Sequence, residues 1–494
     1  MTTPLSFTHV LFDGPDALLT GIGVLVTVPS GDDVRVLAGG NATGALTTLR
    51  LGQGRDVSIA AQDDRAEGGA MAQGALFEAG GEAWLATFDA FARTAQVVDA
   101  RAPGAPQALR GADGAPVALT RAVAVETEGG TYLAGAGFGG RDLATFAIRE
   151  TAAGLPALEG IGGRAVSGKS DARGLTALDT AEVAGTDFVV ALTPGSLSSF
   201  RVDAAGGLTA VDTIATADGL WAGGMTDIAM IEVAGRTFAV VSAFETGSVS
   251  TVRINPMGVF FPADILHDDR ATRFGGASRV EAFEHNGRDF VLAAGTDMGV
   301  ALLEVLPGGD IVHHHSLAQG ADWSLGAVSA LEVAVTGDEL QVLVTGTARG
   351  GVAQLTLDLG RIGDRIGGTG GADRLTGGAG DDLLIGHGGD DVLTGGAGDD
   401  RLVAGTGADT LEGGAGADLF VFEADGRADR ISGFEKGTDR IDLSGWGVGR
   451  LEALTLRGTG NGAAIFYGDE ELRVFADDLT LIARNEWTEA DFVF

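Results

Sequence analysis

Aspartate recurs at every ninth residue through one stretch of the chain: Asp373, Asp382, Asp391, Asp400, Asp409 and Asp418. Each stands two residues before a large apolar residue (Leu375, Leu384, Leu393, Leu402, Leu411 and Phe420) and follows small residues that are mostly glycine. From Gly368 the segment divides without gaps into GTGGADRLT, GGAGDDLLI, GHGGDDVLT, GGAGDDRLV, AGTGADTLE and GGAGADLFV, and GDRIG, with Asp364 and Ile366, precedes them in register. Carboxylates joined by carbonyl oxygens that glycine allows to turn inward make a hard, anionic oxygen set, which suits calcium rather than zinc or copper. With two nonapeptides to a coil of parallel β-roll, repeats two apart stack on one side with an ion between them, giving about four or five calcium sites once Asp364 extends one row.

One apolar side chain in nine buries too little surface to offset the chain entropy of a glycine-rich segment, and stacked aspartates repel, so folding and calcium binding are expected to be one event. A disordered Gly/Asp linker is the bland alternative, but a linker has no reason to hold aspartate and a large apolar residue in fixed phase through six units. The extra fifth-position aspartates Asp381, Asp390 and Asp399 read as solvated charges.

This region resembles the RTX (hemolysin-type) calcium-binding family. Residues 420–446, FVFEADGRADRISGFEKGTDRIDLSGW, and the closing Asp491, Phe492, Val493 and Phe494 are similar to the C-terminal domain of serralysin-type secreted metalloproteases. The resemblance implies a calcium roll over 359–421, then a β-sandwich cap with an uncleaved type I secretion signal over 422–494. A type I secretion apparatus is thereby implied as partner, and the protein is expected to be secreted, extracellular or cell-surface associated. It also implies ligands: the carboxylates of Asp364 and the six sixth-position aspartates, with backbone oxygens of Gly371, Gly378, Gly380, Gly389, Gly396, Gly398, Gly405, Gly407, Gly414 and Gly416. Thr369 and His387 replace glycine at second positions, which a backbone ligand tolerates.

The first 358 residues carry a different period. Trp84, Tyr132, Phe188, Phe238 and Phe290 each lie in an apolar run, at spacings of 48, 56, 50 and 52 residues. Six residues before each stands a glutamate (Glu78, Glu126, Glu182, Glu232, Glu284), and three before it a glycine (Gly81, Gly129, Gly185, Gly235, Gly287). That pattern reads as a strand, a turn in which glycine takes positive φ, and the next strand. Looser units around Val36 and Gln341 bring the count to seven. Four short strands per unit predict an all-β, seven-bladed β-propeller over 1–358, whose last blade borrows its fourth strand from SFTHVLFD at the N-terminus. A long β-helix and a pair of sandwiches compete, but β-helix repeats are shorter and sandwiches lack a regular period.

Chemistry in this region is sparse. There is no H-E-x-x-H, G-x-S-x-G, P-loop or cysteine, so a zinc metalloprotease is excluded and no catalytic residue is assigned. His313, His314 and His315 read as an exposed outer strand of the sixth blade, with a metal pair as the sharper alternative. The repeated glutamates form part of a ring at one end, read as solvated, with cation binding as the alternative. Eleven residues before each anchor stand Gln73, Arg121, Ala177, Asp227 and Arg279, a mixed polar set where a propeller's substrate site would lie. Trp221 and Trp323 are either ligand platforms or packing. A formal net charge of −35 repels nucleic acid and anionic membranes. The N-terminus lacks the basic and apolar regions of a cleaved signal peptide, and no stretch is apolar enough for a transmembrane helix. A calcium-binding protein whose propeller is a binding or surface-interaction module, for an unknown ligand, is the reading favoured; an extracellular hydrolase, lactonase or lyase with a site in the channel is the rival.

Overall fold

A computed structural model gives the fold and describes the chain except residues 1–4, 13–18, 20–21, 31–32, 41–44, 53, 55, 64–70, 90–94, 105, 138–141, 166–173, 221, 269–271, 298, 320–325, 348–349 and 478–479. Trp221 and Trp323 therefore lie outside the described residues. The chain divides into two compact units, one ending at Leu357 and the other running from Asp358 to Phe494.

The first unit is a seven-bladed propeller. Blade four shows the pattern: Ala177–Val183, Thr186–Thr193, Ser196–Val202 and Leu208–Ala215 pair antiparallel in chain order. Its first hairpin turns through Ala184 and Gly185 at φ of 51° and 77°, and the same two-residue turn recurs at Ala234–Gly235 and Asn286–Gly287. Positive φ at both central residues is the turn whose twist matches that of the strands, which is why glycine stands three before the anchor. The innermost strands touch in a closed ring: Ile22–Ser30, Met71–Ala79, Arg121–Thr127, Ala177–Val183, Met225–Val233, Arg279–His285, Val328–Thr336 and back to the first. The seventh sheet takes its outer strand from Leu5–Phe12, antiparallel to Gly351–Asp358. An edge that would otherwise expose unpaired N–H and C=O groups is thus covered.

A repeated device locks neighbouring blades. The outer strand skips one residue of its register at Ala60, Ile161, Val211, Ala263 and His314, a β-bulge at the same place in five blades. In three of them the bulge packs on a turn glycine of the next blade, where a Cβ would come 2.7 Å from Ile161 (Gly206), 3.0 Å from Val211 (Gly258) and 2.6 Å from Ala263 (Gly309). The carbonyls of those glycines accept hydrogen bonds from the Thr145, Ser199 and Thr251 hydroxyls, all buried. Any side chain at the glycine would part the blades, so its lack of Cβ matters as much as its backbone freedom.

Blade six departs from this pattern, and with it the expectation of an exposed histidine run. The bulge breaks the alternation of the strand, so His313 and His315 do not form a metal pair, and all three rings are half-buried. His314 Nε2 lies 2.7 Å from Glu304, whose carboxylate also takes the Arg288 guanidinium at 2.8 and 3.2 Å. Arg288 and Glu304 are fully buried. Burial pushes the Glu304 carboxyl up, but His314 and Arg288 outweigh it and hold its pKa at about 2. His313 pairs with Ser316 at 2.8 Å.

The second unit is built from two sheets. Leu384, Leu402 and Phe420 stack in one, and Leu375, Leu393 and Leu411 in the other, each in parallel register with the residue eighteen positions on. Two nonapeptides therefore make one coil, and the eighth-position side chains fill a common core. The β-sandwich expected as a cap is not a separate layer. Ile431 and Ile441 occupy the places of the next eighth-position residues, so the same two sheets continue through 428–445 and end on Phe492–Val493 in one and a hairpin of 455–467 with Glu470–Ala476 in the other.

Glu304→Gln is expected to lower the unfolding free energy of the propeller by about 3–5 kcal/mol, because it leaves the buried Arg288 charge without its partner. Denaturant unfolding of the purified variant checks this, and an unchanged midpoint would contradict it.

Candidate metal centre

Glycine at positions two and four of the repeats bends the chain where each coil turns. Gly380, Gly389, Gly396, Gly398, Gly405, Gly407, Gly414 and Gly416 all have φ between 87° and 141°, and His387 alone takes a second-position place at φ 71° with a side chain. Cβ atoms at Gly396, Gly398, Gly405, Gly407, Gly414 and Gly416 would each strike the carbonyl of the residue eighteen positions earlier. The turns of successive coils therefore stack backbone on backbone, closer than any side chain permits.

Five of the six sixth-position aspartates, all but Asp373, use one oxygen on the preceding coil. Oδ1 of Asp382, Asp391, Asp400, Asp409 and Asp418 accepts the N–H of Asp364, Asp373, Asp382, Asp391 and Asp400 at 2.5, 2.7, 2.8, 2.8 and 2.9 Å. The second oxygen is treated differently along the row. On Asp382 it accepts the Gly378 N–H at 2.7 Å, and on Asp373 it is taken by Thr369. On Asp391, Asp400, Asp409 and Asp418, Oδ2 is buried and has no donor at all. A Cβ on Gly386 would come 2.5 Å from Asp391 Oδ2 and also strike the Ala404 carbonyl; one on Gly395 would strike Asp400 Oδ2 and come 2.7 Å from the Gly413 carbonyl. Four buried carboxylate oxygens close to backbone carbonyls thus have no donor, an arrangement that a bound cation would satisfy.

Electrostatics agree with this. Burial first, and neighbouring aspartates second, push the carboxyl pKa up to about 7 at Asp400 and Asp418 and about 6 at Asp409, in each case against a backbone hydrogen bond that lowers it. Among the described residues no three His, Cys, Asp or Glu side chains gather as a metal cluster. The oxygens that complete a six- to eight-fold calcium shell must then come largely from backbone, as stacked glycine turns allow.

The ends of the row differ from its middle. Asp364 contributes its N–H to the first coil, but its carboxylate is exposed. Sequence reasoning missed the other end: Asp429 and Asp439 accept the N–H groups of Asp409 and Asp418 at 2.9 and 3.1 Å, and burial pushes their carboxyls up to about 7 and 6. They fall twenty and twenty-one residues on rather than eighteen. The signal was present in Asp429-Arg430-Ile431 and Asp439-Arg440-Ile441, which repeat the Asp-x-apolar order of the nonapeptides. The fifth-position aspartates are also more than solvated charges. Asp381, Asp390 and Asp399 accept N–H groups of the next coil at 2.8, 3.0 and 2.8 Å, and Arg361 bridges Asp381 and Asp399 at 3.2 and 3.0 Å.

In the propeller, all five positions eleven residues before the anchors line one cavity of about 330 Å³ at the innermost strands, together with Glu281 and Glu332. The sequence pointed to Gln73, Arg121, Ala177, Asp227 and Arg279; it missed Glu281, two residues beyond Arg279 on the same strand, and Glu332, its counterpart in the next blade. The repeated glutamates Glu78, Glu126, Glu182, Glu232 and Glu284 are exposed at strand ends.

A protein-family model, the RTX calcium-binding nonapeptide repeat (4 copies), matches residues 367–402 and 394–426. These repeats bind calcium, and the aspartate row fits that ion. No curated protein matches the chain. Among solved structures, the chain is similar to a protein from Lactobacillus plantarum (14% identity, 65% of this chain and 98% of that one, TM-score 0.44). It is also similar to BBS1N in its complex with ARL6DN (12%, 72% and 98%, TM-score 0.47) and to the Myceliophteria thermophila Cps50 (Swd1) β-propeller domain (13%, 71% and 99%, TM-score 0.47). Among the described residues no helix is long and apolar enough to cross a membrane.

Raised carboxyl pKa values make the metal-free roll bind more protons folded than unfolded, so its stability is fully present below about 3.8 and falls as pH rises through about 6 to 7. In chelator, the chain is expected to show more β signal and more shielded Trp446 and Trp487 at pH 5 than at pH 8, with calcium adding most at pH 8. Circular dichroism and tryptophan fluorescence check this; greater order at pH 8 in chelator would contradict it.

Proposed function

We propose that this is a secreted calcium-binding protein whose C-terminal unit folds on meeting extracellular calcium and whose propeller is the binding module that the unit accompanies. The observation that carries the reading is the row of four buried carboxylate oxygens without a donor, on Asp391, Asp400, Asp409 and Asp418. Calcium between coils would be held by these oxygens and those of Asp373 and Asp382, with backbone oxygens of glycines at positions two and four. There it would supply the positive charge that lets stacked carboxylates approach.

Export by a type I route would fit the same order of events. In a cytosol poor in calcium the aspartate row repels itself, leaving the tail extended and its last residues free for a type I secretion apparatus. Outside, the ion closes the coils, and Phe492–Val493 docks beside Ile441–Asp442 with Phe492 buried. Lys436 then fixes Asp491 at 2.6 Å. The signal that would be read unfolded is thus the strand that the folded tail withdraws.

For the propeller, a binding role is supported by the mixed polar cavity at its axis and by the lack of a nucleophile, metal-ligand or protease motif in the sequence. The enzyme reading keeps a foothold in the same cavity, where Asp227 and Glu281 have carboxyls pushed up by burial, as acid–base groups do.

Replacing Asp400 and Asp418 together by asparagine is expected to remove about two calcium ions from the stoichiometry and to raise the calcium needed for half-maximal folding by at least about tenfold. Calcium titration followed by circular dichroism and calorimetry on the full chain checks this. Unaltered stoichiometry and midpoint would sink the assignment.

A further inference from the structure

The innermost strands of a propeller present backbone N–H groups that have no fourth neighbour, and this protein answers several of them with acids. Asp179 accepts the Met230 N–H at 2.7 Å, Asp227 that of Val280 at 3.3 Å and Glu332 that of Thr27 at 2.8 Å, each reaching into the following blade. These three carboxylates are structural stitches. Glu281 stands at the equivalent place in blade six, surrounded by protein and open only to the channel, and it takes no hydrogen bond. Across the same cavity Gln73 Oε1 is buried without a donor. Two side chains with acceptor oxygens, one of them a carboxyl, thus face a space of about 330 Å³ without a partner in the protein.

The charge around Glu281 fixes the sign of what would answer it. Asp227 is compensated by Arg121 and Arg279. Glu281 has no such base; after burial, the groups acting on it are the carboxylates of Glu332, Asp227 and Asp179, all pushing its proton affinity up. Calcium would need six to eight converging oxygens, and among the described residues no three acid or histidine side chains gather here to hold it or a transition metal, while two guanidinium groups line the cavity. An ammonium carries one charge and three donors, enough for a carboxylate and an amide oxygen. In the same cavity, Arg121 spends one N–H on the Thr176 carbonyl, and Arg279 spends Nε and Nη1 on the Ser329 and Ser278 carbonyls, leaving each guanidinium with further donors. Those donors suit hydroxyl oxygens. The volume lies at the small end of the range for ligand pockets, about 300–1,000 Å³.

We propose that the channel binds a small hydroxylated primary amine, with Glu281 taking the ammonium group, Gln73 accepting one of its hydrogens, and Arg121 and Arg279 donating to the hydroxyls. This rests on the reading of the propeller as the binding module and names its ligand class. An unpaired buried carboxylate costs stability and is kept where a ligand supplies the missing charge.

The test uses the calcium-loaded full chain and 1-amino-1-deoxy-D-sorbitol, with D-sorbitol as its uncharged twin. Calorimetry is expected to show the amine binding one to one and sorbitol at least about tenfold more weakly, the loss of one charged hydrogen bond in a buried site. Glu281→Gln should bring the amine down to the level of sorbitol, and Gln73→Leu should weaken the amine while leaving the calcium response unchanged. Without ligand, Glu281→Gln should raise the thermal midpoint, since it removes a carboxyl whose ionised form burial and the neighbouring carboxylates disfavour. Equal binding of amine and sorbitol, binding by neither at millimolar concentration, amine binding that survives Glu281→Gln, or a lowered midpoint in that variant would each overturn the proposal. The calcium response of the tail, read on the same samples, separates the two readings. A tail that orders with calcium while the amine fails to bind removes only the channel assignment; a tail indifferent to calcium removes the secretion reading and leaves the amine titration to decide the channel.

Discussion

A carboxylate that spends one oxygen on its neighbour's backbone and buries the other without a donor needs a cation or a proton beside it. In the C-terminal unit this happens at Asp391, Asp400, Asp409 and Asp418 in succession, and every other feature of the roll serves it. Glycine turns stack at a separation no Cβ survives, which brings the carbonyl oxygens in. The leucines two residues on provide a core one side chain wide per repeat, too thin to hold the coils by itself. Protons can stand in for the ion less and less as pH rises through the carboxyl pKa values of about 6 to 7.

The propeller solves its assembly problem with ordinary packing instead. Seven sheets bury their faces against one another, and the bulge of one blade fits over the turn glycine of the next while a buried hydroxyl reaches the same glycine's carbonyl. Where blade six meets the sheet completed by Leu5–Phe12 there is no such hairpin to grip. There Leu302 stands where the hydroxyl would be, and the bulge residue, His314, turns to the Arg288–Glu304 pair. A buried ion pair with a histidine is a weak source of net stability, and its value lies in fixing one arrangement. On the proposed reading the two units would depend on solution conditions in different ways, with calcium needed by the roll and not by the packing between blades.

The periods were the most legible part of the sequence. Nine residues with aspartate sixth and leucine eighth gave the coil, because parallel stacking demands identity at eighteen-residue intervals. About fifty residues with Glu-x-x-Gly before an aromatic gave the blade, since the turn admits only residues tolerant of positive φ. Departures from period were hidden for the same reason. Asp429 and Asp439 lie beyond short insertions that break the count, though their local Asp-x-apolar order persists. The inward turn of the histidine run came from a bulge, and a one-residue slip reverses every face that alternation predicts. In the channel, the first level of polar residues was readable from register, and Glu281 and Glu332, two residues along on the same strand faces, follow from the same alternation.

Amide hydrogen exchange on the intact chain, with calcium and then with chelator at pH 7.5, reads the central interaction at the groups that make it. The N–H groups of Asp373, Asp382, Asp391, Asp400 and Asp409 should be protected together in calcium and exchange together once it is removed, while the strands of blades four and five stay protected throughout. Protection of those five aspartate amides that is indifferent to chelator would show that the carboxylates stack without a cation, and the calcium-dependent roll would have to be abandoned.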